Sequence, residues 1–170
     1  MRGFTSHRSK LLGAACAAIL LATPAVCIAA TATTTFQVTA TVLSVCTVSA
    51  TNLAFGNYDA SSGTPNDASS TVTTTCSNST PYTVALNAGT GSGATVALRR
   101  MTNGANTLSY TMYTTAGRTT VWGDGTSGTS TQAGTGNGSG QALTVFGRIP
   151  TGQYVTAGSY TDTVTATVTY

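Results

Sequence analysis

Phe36-Gln37-Val38-Thr39-Ala40-Thr41-Val42 alternates apolar Phe36, Val38, Ala40 and Val42 with polar Gln37, Thr39 and Thr41. Successive side chains of an extended chain point to opposite faces, so a period of two makes a strand with one apolar face. The stretch lies between an N-terminal apolar run and Cys46, at the leading end of whatever remains once that run is removed. On pattern alone it can be the first strand of its own sandwich, or a strand that leaves its domain and packs elsewhere.

Arg2, Arg8 and Lys10 precede the apolar run Leu11 to Leu21, and small residues follow around Ala29 and Ala30. This order reads as a secretory signal peptide over residues 1–30, cut after Ala29 or Ala30, with Ala32 as a third option. The apolar run is too short for a membrane span and nothing later resembles one, so no membrane insertion of the mature chain is expected. Removing the signal takes three of the seven basic residues and His7 with it. Arg99, Arg100, Arg118 and Arg148 then balance Asp59, Asp67, Asp124 and Asp162. A neutral surface has no pull on phosphate backbones or anionic lipid, and little repulsion between copies.

Cys16 and Cys27 leave with the signal, so Cys46 and Cys76 remain as the one pair in an exported chain and are expected to form a disulfide. Closing a loop of about 30 residues is worth roughly 3 to 4 kcal/mol on the chain-entropy account. A thiolate metal site would need further ligands, and the mature chain has no histidine and no other cysteine. Neither a metal nor any other cofactor is expected.

Thr, Ser, Gly, Ala and Asn dominate the rest, and alternating segments recur between turn residues, the pattern of an all-β sandwich or barrel. Strands are expected over Leu43 to Val48, Thr71 to Cys76 with Val72, Thr74 and Cys76 on one face, and Tyr82 to Leu86 with Tyr82, Val84 and Leu86 inward. Further strands are expected over Ala94 to Leu98, Leu108 to Tyr113, Gln141 to Ile149 and Tyr160 to Tyr170. Asn52 to Tyr58 reads as a short strand or core anchor, and Ser61 to Asp67 as a loop. Arg99-Arg100 reads as a solvated turn running into the turn signal Asn103-Gly104. Gly123 to Gly140 contains seven glycines and no large apolar residue, which predicts a mobile surface loop. The last strand places Val164, Ala166, Val168 and Tyr170 on one face and runs to Tyr170, leaving a neighbouring sheet position with no later segment to fill it.

Cys46-Thr47-Val48, Phe55-Gly56-Asn57-Tyr58-Asp59, Cys76, Val145-Phe146-Gly147-Arg148-Ile149-Pro150 and Ala157-Gly158-Ser159-Tyr160-Thr161-Asp162-Thr163-Val164 occur in that order. With the alternating stretch before them they resemble the spore coat protein U family, which includes pilins of the archaic (Csu-type) chaperone-usher pathway. The resemblance covers essentially the whole mature chain, except that the glycine-rich region after Trp122 looks unusual and nothing is carried over to it. It implies an incomplete immunoglobulin-like β-sandwich that lacks its last strand and has a groove beside the C-terminal strand. A periplasmic chaperone would lend a strand to that groove, and at an outer-membrane usher the N-terminal extension of the next subunit would replace it. By position, residues 31–42 are the donor extension, with Phe36, Val38, Ala40 and Val42 entering the groove. Residues 43–170 are the pilin domain, with Val164, Ala166, Val168 and Tyr170 as the groove wall. Ala40, the one small member of the inward set, is expected to meet a shallow pocket.

The resulting expectation is a fimbrial shaft subunit, polymerising with identical copies into a surface filament for attachment or biofilm. Two alternatives are a secreted carbohydrate-binding adhesin module, and a spore or cell coat protein of the same fold. An enzyme is not expected, because the mature chain has no His, Glu, Lys or free thiol and its four aspartates are scattered. Trp122, Tyr113 and Tyr154 could stack on a sugar, but isolated aromatics in β proteins serve more simply as core or rim. Asn78-Ser79-Thr80 and Asn137-Gly138-Ser139 match a glycosylation acceptor and are given no role.

Overall fold

The computed structural model describes residues 27–170, so most of the expected signal peptide lies outside the described residues. The chain divides into two compact units, one ending at Ala40 and one comprising Thr41–Tyr170. Residues 27–45 contain no strand, and Phe36, Val38 and Val42 are 85%, 82% and 90% exposed. The alternating stretch is therefore not a strand in the single chain, since an extended segment becomes one only when a partner takes its backbone hydrogen bonds.

The second unit is all-β: β1 Cys46–Ala50, β2 Asn66–Cys76, β3 Pro81–Leu86, β4 Arg99–Asn103, β5 Asn106–Tyr113, β6 Gln132–Thr135, β7 Gly140–Ile149 and β8 Ala166–Thr169. One sheet has the order β1-β2-β7-β5-β4 and the other β6-β3-β8, and every strand pair in them is antiparallel. Their inward rows share one core: Val72 and Cys76 from β2, Tyr82, Val84 and Leu86 from β3, Leu108, Tyr110 and Met112 from β5, Val145 and Ile149 from β7, and Trp122. Period two thus locates the inner faces of β2 and β3 correctly. This is an incomplete immunoglobulin-like sandwich, with β8 paired to β3 alone among the described residues. Cys46 and Cys76 are paired residues of β1 and β2 and form the disulfide.

Several expectations need correction. Ala94 to Leu98 is not a strand: Thr95 N donates to Leu98 O and Leu98 N to Thr95 Oγ1, a local closure that takes the bonds a ladder would use. Arg99-Arg100 is not a solvated turn but the start of β4, and Arg99 is fully buried. Asn66 and Asp67 belong to β2 rather than a loop, and Asp67 receives both Arg148 Nε and Nη2 at 2.8 Å. The first strand begins at Cys46, although Ser77 N still donates to Val45 O.

The glycine-rich region is likewise not one loop, because it contains β6, paired with β3. Its glycines allow close approach: a Cβ on Gly134 would strike the buried Tyr82 ring, and one on Gly136 would strike the backbone of Cys76 and Ser77. Finally, the C-terminal strand is only β8. Upstream of it, Thr161 exchanges backbone hydrogen bonds with Thr102 of β4, while Thr165 N donates to Asn87 Oδ1 at 2.8 Å. The segment thus crosses from one sheet to the other before joining β3.

Candidate functional site

β8 is one edge of the smaller sheet and β1 one edge of the larger. Each inward side chain on an interior strand is flanked from both sides, whereas an edge strand leaves one flank open. Along Tyr160 to Thr169 the residues alternate without a break between half-buried Tyr160, Asp162, Val164, Ala166 and Val168 and exposed threonines. This row faces the core yet is incompletely covered.

Beside it lies a cleft of about 490 Å³. Its floor is core: Val72, Leu86, Met101, Tyr110, Met112 and Val145. One wall is Ala50 to Leu53 with Phe55, where the chain leaves β1, and the other is Tyr160 to Val164 with Ala166. A second cleft of about 660 Å³, between residues 53–60 and 153–160, shares Leu53, Phe55, Met101 and Tyr160 with the first.

Of the expected wall residues, Val164 and Ala166 line the first cleft, Val168 packs against the core outside it, and Tyr170 is 57% exposed beyond the end of β8. Phe36, Val38, Ala40 and Val42 are exposed and belong to no strand. The wall strand expected from Tyr160 to Tyr170 had its inward set begun only at Val164; Tyr160 and Asp162 continue that set two steps upstream with the same alternation and line the cleft.

Asp162 fixes this wall in place. Its carboxylate accepts from Tyr110 Oη at 2.7 Å, Thr90 N at 2.7 Å, Thr90 Oγ1 at 3.0 Å and Thr163 N at 2.7 Å. Burial, and next the hydrogen bond to Asp162, push the Tyr110 hydroxyl well above the usual phenol range, so it stays a donor. Arg99 braces the floor from below: Nε donates to Asn87 O at 2.8 Å, and Nη2 to Leu86 O at 3.1 Å and Trp122 O at 2.9 Å. These carbonyls lie where β3 ends and Trp122 crosses, and Trp122 Nε1 donates to Val84 O. Burial pulls the Arg99 guanidinium below its ordinary value, while Tyr110 and then Asp162 and Asp124 oppose that pull.

Chemically the site offers an open β edge and a trough with an apolar floor and partly polar walls, the requirements for accepting an extended peptide. Among the described residues no cluster of three His, Cys, Asp or Glu side chains could hold a metal.

The Spore Coat Protein U domain family matches this chain over residues 32–167. "Protein U" of Myxococcus xanthus is 46% identical over 82 residues, which is 47% of this chain and 45% of that protein. A chain in the crystal structure of a chaperone–tip adhesion subunit pre-assembly complex, from archaic chaperone-usher Csu pili of Acinetobacter baumannii, superposes with a TM-score of 0.56 at 27% identity. The superposition covers 76% of this chain and 40% of that one, so the chain spans less than half the length of either relative.

Proposed function

The chain belongs to the Spore Coat Protein U domain family, and from that membership and its open groove we propose that it is a structural subunit of a chaperone-usher pilus. It forms the shaft: residues 31–42 of one copy enter the groove of the next, with Phe36, Val38, Ala40 and Val42 directed to the core, and identical copies follow one another. Before assembly a periplasmic chaperone covers the groove, and an outer-membrane usher exchanges it for the incoming subunit, which puts the finished filament on the cell surface. The role is mechanical and needs no catalysis or cofactor. Filaments of this kind serve attachment or biofilm.

The observation that carries the reading is the unpaired edge of β8 above a trough floored by core side chains. Donated backbone groups would continue the ladder of β8, at about 1 kcal/mol net per hydrogen bond. Burying Phe36, Val38 and Val42 contributes roughly 5 to 9 kcal/mol before ordering costs. The experiment expresses the mature chain with and without residues 30–42. The shortened form is expected to bind a synthetic peptide spanning residues 33–42 and to remain monomeric alone; failure to bind the peptide, or polymerisation without the segment, overturns the reading.

The family's description favours one second reading, a coat assembled by the same strand exchange. Electron microscopy of the native assembly separates the two: filaments support the pilus, a continuous layer the coat.

A further inference from the structure

The inward row beside the cleft has a composition that selects one alignment of an inserted strand. Tyr160, Asp162, Val164 and Ala166 line the cleft, and Val168, next in the row, does not. The alternating leader has four inward residues as well, Phe36, Val38, Ala40 and Val42. Every strand pair in both sheets is antiparallel, and antiparallel pairing is the more stable per residue, so the inserted strand is taken antiparallel to the 160–169 segment.

Shifts by an odd number of residues turn Gln37, Thr39 and Thr41 into the trough. Among even shifts, one sets Phe36 opposite Ala166, Val38 opposite Val164, Ala40 opposite Asp162 and Val42 opposite Tyr160. Here the largest donor side chain faces the smallest wall residue, and the smallest donor faces the one carboxylate. A shift of two residues in one direction puts Val42 on Asp162 and moves Phe36 to Val168, off the cleft; in the other direction Val38 lies on Asp162. Covering a charged carboxylate with a branched apolar side chain strips its remaining water with no new hydrogen bond in return. Asp162 cannot turn aside, because Tyr110, Thr90 and Thr163 hold its oxygens.

We propose that Asp162 is the register-determining residue of the groove: it admits only the alanine of the incoming strand, and thereby sets Ala40 of one copy opposite Asp162 of the next and Phe36 opposite Ala166. The inference rests on the strand-insertion reading above and adds the alignment to it.

The alignment places exposed Thr39 of one copy directly opposite exposed Thr163 of the next. Directly opposed residues have Cα atoms 4.5 to 5.5 Å apart, within disulfide reach, whereas the diagonal positions two residues away lie beyond about 7 Å. The test uses the full mature chain carrying Thr39→Cys with Thr161→Cys, Thr163→Cys or Thr165→Cys, polymerised, mildly oxidised and run on non-reducing gels. All four side chains are exposed, and Thr161 and Thr163 border the cleft without belonging to the core. The expected result is a ladder of covalent multimers with Thr163→Cys, at least several-fold more abundant than with either neighbour. A maximum at Thr161→Cys or Thr165→Cys overturns the register, and so does polymer that cross-links with none of the three. Absence of polymer from the unsubstituted chain instead defeats the strand-insertion reading itself, and the register falls with it.

Discussion

Phe36→Ala separates the groove's contribution from the stability of the subunit. Phe36 is 85% exposed in the single chain, so shortening it removes nothing from that chain's own core. In an assembled filament the ring lies in the next subunit's trough, and burying a phenylalanine side chain is worth roughly 1.5 to 3 kcal/mol. Losing that much corresponds to a rise of about 10- to 150-fold in the free-subunit concentration that coexists with polymer. The assay sediments filaments at a series of total concentrations, measures the subunit left in the supernatant, and follows urea unfolding of the monomer in parallel. The monomer's midpoint is expected to stay unchanged. An unchanged supernatant concentration, or a monomer destabilised as much as the filament, would refute the reasoning, because either result puts Phe36 somewhere other than a neighbour's groove.

Gly136→Ala is expected to destabilise the monomer by about 1 to 3 kcal/mol, read as a lowered urea midpoint, since the new Cβ would collide with the backbone of Ser77 and Cys76 rather than with a movable side chain. An unaltered midpoint would mean that β6 and the turn before β3 are not held as closely as described. In hydrogen exchange, alternate amides of β8 point to β3 and the others to the open edge, so those facing the edge should exchange fast in the monomer and slowly in the filament. Equal protection in both states would argue against strand addition at this edge. For pH, the Arg148 hydrogen bonds, aided by the charges of Arg118 and Arg148, hold the Asp67 carboxyl below its ordinary value of 3.8. A carboxyl depressed in the folded state contributes stability that is complete above the unfolded value and lost as pH falls through the folded one, so Asp67 should support the fold at neutral pH and withdraw that support only in acid. From residue 31 onward no side chain has an ordinary pKa between 5 and 8, and melting temperature should be flat across that range. A steep transition near neutrality would contradict this.

The sandwich was readable wherever one face of a strand is buried and the other wet. Val72, Thr74 and Cys76, Tyr82, Val84 and Leu86, and the stretch from Gln141 to Ile149 each display period two because a single core removes every second side chain from water. Arg99 was misread because charge type predicts exposure on average, while its burial depends on three carbonyls, of Leu86, Asn87 and Trp122, that converge only after folding. Glycine content misled over Gly123 to Gly140 in a comparable way. Composition suggested freedom, but Gly134 and Gly136 are packed so closely that any side chain would collide with Tyr82 or with backbone. Upstream of β8 the alternation was real and the ladder was not, because Thr161 bonds to Thr102 of the other sheet while the same period continues through Asp162 and Val164.

That mismatch between alternation and ladder also says where the energy of assembly lies. Val72, Val84 and Val145 are 3%, 0% and 3% exposed, whereas Val168 of β8, an identical side chain packed against the same cluster, is only half-buried. The difference is the number of flanking strands, since β8 has β3 on one side and no strand on the other. Ordering about ten leader residues costs roughly 1 to 2 kcal/mol each, which the burial of Phe36, Val38 and Val42 does not offset alone. A strand laid along the open edge also gains ladder hydrogen bonds and buries the exposed halves of Tyr160, Val164 and Ala166. The acceptor's unfinished row therefore supplies part of the driving force, and a groove already filled by a full-size strand has none of it left to offer a second one.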